Sequence, residues 1–184
     1  MTANRRVLLI SGSLRAGSTN SALVRTAREV APDGVEAVVF DGLAALPHYN
    51  PDEDRDPLPA AVVDLRAAIA DADAVLISTP EYAGALPGSF KNLIDWTVGG
   101  VETSEKPVGW INASTNPGGA AMAHESLRIV IGYTGADLVD AACVRIGVAR
   151  DAVGPDGLIA DPDVRGGIAA VLTVLADAVV LTRT

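Results

Sequence analysis

The sequence is poor in cysteine, in aromatic residues and in positive charge, and these shortages exclude whole classes of protein. The single cysteine, Cys143, leaves no internal disulfide and no metal-binding spacing. Only 14 Lys and Arg residues oppose 23 Asp and Glu residues, which gives a net charge of -9. We therefore expect no binding to nucleic acid or to an anionic membrane surface. No apolar run reaches the roughly 20 residues that span a bilayer.

Length and composition instead favour one globular domain. At 184 residues the chain is long enough to bury a substantial core, and no linker or internal repeat divides it. Residues 1–184 are therefore expected to form a single domain. The apolar run at residues 7–10 is too short for the core of a signal peptide, so we expect a cytoplasmic protein.

Short apolar runs alternate with helical patterns along the whole chain. The apolar runs predict strands at residues 6–10, 35–40, 74–78, 108–112 and 138–146. The helical patterns cover residues 19–30, 60–70, 88–98 and 119–133, and a last helix begins at Asp161 and Pro162. This alternation predicts an α/β protein with a parallel sheet covered by helices on both faces. Five strands in such a sheet most often take the order 2-1-3-4-5.

The loop after the first predicted strand is dense in hydrogen-bond donors. This first loop, residues 12–20, reads GSLRAGSTN and leads into a helix whose N-terminus favours anions. Its chemistry suits a terminal phosphate monoester, and the side chains that would bind one are Ser13, Arg15, Ser18, Thr19 and Asn20. The spacing of Gly12 and Gly17 imitates a P-loop, but a serine stands where its lysine belongs, so we expect no triphosphate hydrolysis. The dinucleotide fingerprint fails because only two of its three glycines are present.

Two more loops follow the third and fourth predicted strands, and they would meet the first loop at one edge of the sheet. We number these loops by the strand that each one follows. The third loop begins PEYAG at residues 80–84, and the fourth loop reads STNPGG at residues 114–119. Proline and glycine allow a backbone to approach a flat heteroaromatic ring closely. The third loop would offer Pro80, Glu81, Tyr82, Ala83 and Gly84 to such a ring. Tyr82 would either stack on the ring or be a half-buried loop aromatic.

Together these segments resemble a known family. The pattern Ser-Leu-Arg-x-x-Ser-x-Asn after the first strand, with Pro-Glu-Tyr and Pro-Gly-x-x-Lys-Asn-x-Ile-Asp-Trp after the third, resembles the NAD(P)H-dependent FMN reductases. This flavodoxin-like family includes quinone, chromate and azo-dye reductases, and the resemblance implies a three-layer sandwich. It also implies an FMN phosphate held by Ser13, Arg15, Ser18, Thr19 and Asn20, and a ring lined by Pro80, Glu81, Tyr82, Ser114 and Gly118.

The resemblance implies an activity as well. FMN would take hydride from NADPH or NADH and pass electrons, by ping-pong transfer, to a quinone, free flavin, azo compound or metal oxyanion. No side chain is assigned a catalytic role, because the flavin carries the chemistry, and no metal is expected. A homodimer or homotetramer is implied, with a neighbouring chain closing the flavin site. Two alternatives stay open: an electron-carrier flavodoxin that does not oxidise nicotinamide, and a regulatory domain with a vestigial site.

Some positions depart from the family pattern. The family commonly has asparagine where this chain has Ala83, often has serine at Ala85, and has an arginine where residues 120–123 offer none. These losses are expected to weaken FMN affinity or oligomer contacts rather than the fold. The long irregular stretch at residues 41–57 is expected to serve the site or an interface, or else to be a solvated loop.

Overall fold

The computed structural model describes residues 4–182 and is organised around one five-stranded parallel sheet. The strands are β1 (Arg5–Ser11), β2 (Val35–Phe40), β3 (Ala74–Ser78), β4 (Pro107–Asn112) and β5 (Asp137–Arg145). Their order is β2-β1-β3-β4-β5, and every neighbouring pair is parallel. The predicted fold class and strand order are confirmed, and no strand end lies more than one residue from its predicted position.

Helices cover both faces of the sheet and complete a three-layer sandwich. They are α1 (Thr19–Glu29), α2 (Ala60–Asp71), α3 (Gly88–Asp95), α4 (Ala121–Tyr133) and α5 (Pro162–Thr182). Side chains of β1 alternate between the two cores, because successive residues of a strand point to opposite faces. Val7 and Leu9 pack with α1 and α5, whereas Leu8 and Ile10 pack with α2, α3 and α4. No helix in residues 4–182 is long and apolar enough to cross a bilayer.

Residues 47–54, which we call the strap, lie against α3 rather than free in solvent. The Asn92 side chain donates to the Pro47 carbonyl at 2.8 Å and accepts from the Tyr49 amide at 2.7 Å. The indole of Trp96 donates to the same Pro47 carbonyl at 2.8 Å. Its ring also meets Tyr49 edge-on, with 5.0 Å between the ring centroids. The strap is therefore fixed by one turn of α3 and by the residue that ends that helix.

A buried ion pair holds the far end of the strap. Asp54 lies 2.6 Å from the guanidinium of Arg66 on α2, and their side chains are only 8% and 12% exposed. The Nε–H of Arg66 donates to the Trp96 carbonyl at 3.0 Å, which joins the pair to the end of α3. The helix predicted at residues 88–98 ends at Asp95, and the chain continues in tighter turns in which the amides of Thr97 and Val98 donate to the carbonyls of Ile94 and Asp95.

Candidate functional site

Three loops converge at the carboxyl ends of β1, β3 and β4, on both sides of the point where the strand order reverses. Open α/β sheets bind their ligands at such a point. The Gly12 amide donates to the Ser78 carbonyl at 2.9 Å, so the first loop leaves β1 in contact with the end of β3. A Cβ at Gly12 would overlap the hydroxyl of Thr79. This close approach explains why glycine begins the first loop.

The first loop presents free donors at the N-terminus of α1. Ser18 is the N-cap, and its hydroxyl accepts from the Asn20 amide at 3.2 Å. Ser13 accepts from the Arg15 amide at 3.3 Å, and the Arg15 guanidinium donates to the Gly17 carbonyl at 3.2 Å. Within residues 4–182, the amide N–H of Thr19 has no hydrogen-bond partner. An anion at this helix terminus would meet that amide, the hydroxyl protons and a guanidinium.

Asn20 connects this helix terminus to the middle of the sheet. Its Oδ1 accepts from the hydroxyl of Ser78 on β3 at 2.9 Å. The same hydroxyl lies 3.0 Å from the Ile111 carbonyl on β4. The Nδ2 of Asn20 has no partner in the described part of the chain, which leaves it available to a ligand. The Oδ1 atom of Asn20 therefore contributes to the fold, whereas its Nδ2 atom is open to the ligand contact that the sequence predicts.

The third loop, residues 80–85, is a tight hairpin. The amides and carbonyls of Tyr82 and Ala85 form a reciprocal pair at 3.0 and 3.1 Å. The two residues between them are left-handed, with φ of 51° at Ala83 and 72° at Gly84. This is the two-residue turn in which Asn-Gly is preferred. Ala83 therefore departs from the family pattern at a position where backbone conformation itself favours asparagine.

Helix α4 begins beside this hairpin, and Glu81 joins the two. Its carboxylate accepts from the Ala123 amide at 3.1 Å. The next residue, the buried His124, places Nδ1 2.6 Å from the Ala120 carbonyl, so Nδ1 carries the proton. Its Nε2 is buried without a hydrogen-bond partner among the described residues. Burial lowers the pKa of His124 below the usual 6.5, partly opposed by that hydrogen bond and by the Glu81 charge.

The fourth loop, residues 114–120, is organised by an asparagine at the end of β4. Asn112 accepts from the Ser114 amide and donates to the Gly119 carbonyl, both at 2.9 Å. Ser114 and Asn116 add further bonds within the loop. A Cβ at Gly119 would overlap the Ser114 hydroxyl, so glycine is needed for this compact turn. The fourth loop is thereby a preformed wall rather than a loose segment.

A cavity of about 440 Å³, which we call the main cavity, lies between these loops. The sequence-predicted residues that line it are Thr19, Asn20, Pro80, Glu81 and Ser114. A neighbouring cavity of about 260 Å³, on the other side of the α1 N-terminus, is lined by Ser13, Arg15 and Ser18. Tyr82, Ala83, Gly84 and Gly118 line neither cavity, and all four are exposed. The structure thus brings eight of the twelve predicted binding residues around the two cavities.

Sequence reasoning missed four polar residues of the main cavity: Thr79, Asn112, Thr115 and Arg150. Arg150 follows β5 and is the only cationic side chain lining this cavity, and it forms no ion pair within residues 4–182. Its position could have been found from the expected strand order, which places the carboxyl end of the fifth strand at the same edge. No familiar motif marks it.

The donor set and shape of the two cavities fit FMN. Free amide and hydroxyl donors with Arg15 at the N-terminus of α1 would suit a phosphate, and Asn20 offers an amide donor beyond them. Small or backbone-exposing residues such as Pro80 and Ser114 would suit a flat ring, and the volume of the main cavity lies in the ordinary range for cofactor sites. No group of three or more His, Cys, Asp or Glu residues in residues 4–182 could hold a metal ion.

Comparisons with known proteins agree with this geometry. The family model described as NADPH-dependent FMN reductase matches residues 5–151. An NAD(P)H-dependent FMN reductase of Pseudomonas aeruginosa is 35% identical over 167 residues, which cover 90% of each chain. A 2-hydroxy-1,4-benzoquinone reductase of a Burkholderia species is 32% identical over 163 residues, covering 87% of this chain and 88% of the relative.

A solved structure gives the same result in three dimensions. The flavoenzyme NAD(P)H:(acceptor) oxidoreductase FerB of Paracoccus denitrificans superposes with a TM-score of 0.82 at 29% identity. The superposition covers 96% of this chain and 98% of that chain. Since the family model matches most of the sequence, the chain belongs to the NADPH-dependent FMN reductase family.

Proposed function

We propose that this chain is a single-domain FMN-dependent oxidoreductase that oxidises NADPH or NADH and reduces quinones or similar small acceptors. The observation that carries the proposal is the main cavity. It joins an anion-binding helix terminus at Thr19 and Asn20 to a preformed wall at Pro80, Glu81 and Ser114. A ligand with a phosphate at one end and a flat ring at the other matches this arrangement.

Each end of the site has its own residues. Ser13, Arg15, Ser18, Thr19 and Asn20 would hold the phosphate through hydroxyl, guanidinium and amide donors. Pro80, Glu81 and Ser114, which line the main cavity, would hold the ring chiefly through their backbone. Tyr82, Ala83, Gly84 and Gly118 line neither cavity and would contact only a part of the ring that extends beyond it. Bound FMN would supply the hydride acceptor and donor, and the chain supplies binding, orientation and electrostatics.

The proposed order is ping-pong, and the single open cavity beside the loops supports it. The nicotinamide and the acceptor would use this cavity in turn, so the nicotinamide would leave before the acceptor enters. The proposed acceptors are quinones, free flavin, azo compounds and metal oxyanions. Quinone reduction has direct support from the names of relatives. The uncompensated charge of Arg150 at the cavity would favour acceptors that are anionic or become so on reduction.

Anaerobic absorbance spectroscopy tests the proposal. The purified protein is mixed with FMN and dialysed, and we expect a bound flavin spectrum that NADPH or NADH bleaches and a quinone restores. A protein that retains no flavin would overturn the proposal. A yellow protein that neither nicotinamide bleaches would instead be an electron carrier. Initial rates measured with both nicotinamides and each acceptor class then define the preferred substrates.

We also propose that the protein is cytoplasmic and that it forms a homodimer or a homotetramer. Helix α4 carries an exposed apolar stripe of Met122, Ile129 and Tyr133, with the Tyr133 side chain almost fully exposed. Such stripes on otherwise polar surfaces commonly mark interfaces. Light scattering should give a mass above the 18.8 kDa of one chain, and Ile129→Glu should lower it. A monomeric wild-type protein would contradict this part of the proposal.

A further inference from the structure

Helix α4 begins without a cap of its own. The residue at its N-cap position, Ala120, has a left-handed backbone with φ of 60° and no side chain that could accept a hydrogen bond. The first turn contains no acidic residue. The first-turn amide of Ala123 is satisfied from outside the helix, by the carboxylate of Glu81 at 3.1 Å. A carboxylate in this position also interacts favourably with the helix dipole.

This contact joins two parts of the proposed flavin site. Glu81 belongs to the third loop, and α4 follows directly from the fourth loop. The bond from Ala123 to Glu81 is the only hydrogen bond between residues 80–85 and α4 in the described part of the chain. The hairpin tip at Tyr82, Ala83 and Gly84 is exposed. Without the bond, no hydrogen bond in the described part of the chain would tie the hairpin to α4.

We propose that Glu81 is a positioning residue, whose carboxylate caps α4 and thereby fixes the third loop against the fourth at the ring end of the site. The inference rests on the proposed function, because it concerns the same site. In this inference the Glu81 carboxylate bonds to the Ala123 amide of the protein and not to the bound ligand. The part of Glu81 offered to a bound ring is then its backbone.

Three substitutions of Glu81 distinguish the effect of side-chain length from the effect of the negative charge. Glu81→Ala removes the cap, and the loops must then be ordered by the ligand, so the Kd for FMN should rise roughly five- to tenfold. Glu81→Asp keeps the charge but is one methylene too short, and it should resemble Glu81→Ala. Glu81→Gln keeps an acceptor oxygen at full length, and its Kd should stay within about threefold of wild type. A direct electrostatic contact with the ring would give the opposite order, with Asp milder than Gln.

Two ligands show which end of the site is affected. Riboflavin lacks the phosphate, so Glu81→Ala should weaken riboflavin and FMN by the same factor. Arg15→Ala should weaken FMN and leave riboflavin unchanged. Glu125→Ala serves as the matched control, because Glu125 is an exposed carboxylate on α4 with no hydrogen bond or ion pair in the described chain. It should change neither Kd.

Hydrogen exchange provides a readout of the bond itself. The Ala123 amide should exchange faster in Glu81→Ala and Glu81→Asp than in wild type, and Glu81→Gln should restore its protection. Unchanged FMN and riboflavin affinity in Glu81→Ala, or a Gln variant as weak as the Ala variant, would overturn the inference alone. A wild-type protein that binds neither flavin would overturn the proposed function, and this inference with it.

Discussion

The left-handed backbone at Ala83 predicts that one substitution stabilises the protein. Ala83 has φ of 51° in a two-residue turn, where asparagine before glycine is the preferred sequence. A left-handed conformation costs a residue with a Cβ roughly 1–2 kcal/mol, and asparagine tolerates it best because its side chain bonds locally. We expect Ala83→Asn to raise the free energy of unfolding by about 0.5–1 kcal/mol. Ala83→Gly should gain less, since glycine adds about 0.5–1 kcal/mol of backbone entropy to the unfolded chain.

Thermal unfolding followed by circular dichroism measures this gain. For a chain of 184 residues, a gain of this size corresponds to a rise in Tm of about 1–4 °C. Ala152→Asn is the matched control, because Ala152 is also exposed and lies outside the positive-φ region. It should give no rise. If Ala83→Asn is no more stable than Ala152→Asn, the turn is not strained and the reasoning is wrong.

Three further predictions concern groups that are buried or partly buried. The pKa of His124 in the folded protein lies below 6.5, so as the pH falls the unfolded chain takes up a proton at this residue before the folded chain does. The free energy of unfolding should therefore fall below about pH 6.5, by at most ~1.4 kcal/mol per pH unit, and His124→Gln should flatten that slope in urea titrations. Burial raises the pKa of Cys143 to about 11, so iodoacetamide at pH 8 should label the folded protein far more slowly than the unfolded chain; equal rates would contradict this. Asp54→Ala should cost about 3–5 kcal/mol in chemical denaturation, because it strands the Arg66 guanidinium, whereas the Asp54→Ala/Arg66→Ala double variant should cost less than the sum of the single ones.

The centre of the sheet could be predicted from sequence because β1, β3 and β4 are largely buried on both faces. All five residues of Ala74–Ser78, for example, are buried, and such a run is visible without any partner. The place where the three loops meet followed from topology alone. The end of α3 was placed three residues too late, because the apolar pattern continues into the tighter turns at residues 96–98. The bond from Trp96 to Pro47 joins residues 49 apart, and helical periodicity carries no information about so distant a contact.

The candidate site was predictable in its motifs and less so in its contacts. Local patterns identified donor-rich loops, and the structure places most of the named residues around the two cavities. The left-handed turn at Ala83 was hidden, because alanine does not signal positive φ. The bond from Ala123 to Glu81 was hidden as well, since it joins residues 42 apart. Arg150 was missed because a lone arginine in a loop forms no pattern.

Because the strap is anchored on α3, these two segments are best exchanged together when parts of this enzyme are combined with parts of a relative. A chimera that exchanged residues 47–54 alone would keep the bonds to Asn92 and Trp96 only if the new segment placed a backbone carbonyl and a backbone amide where Pro47 and Tyr49 have theirs. The same helix directly follows the hairpin at residues 80–85. A successful transplant would therefore move the strap, the hairpin and α3 together as one cassette, with Arg66 retained on the recipient scaffold.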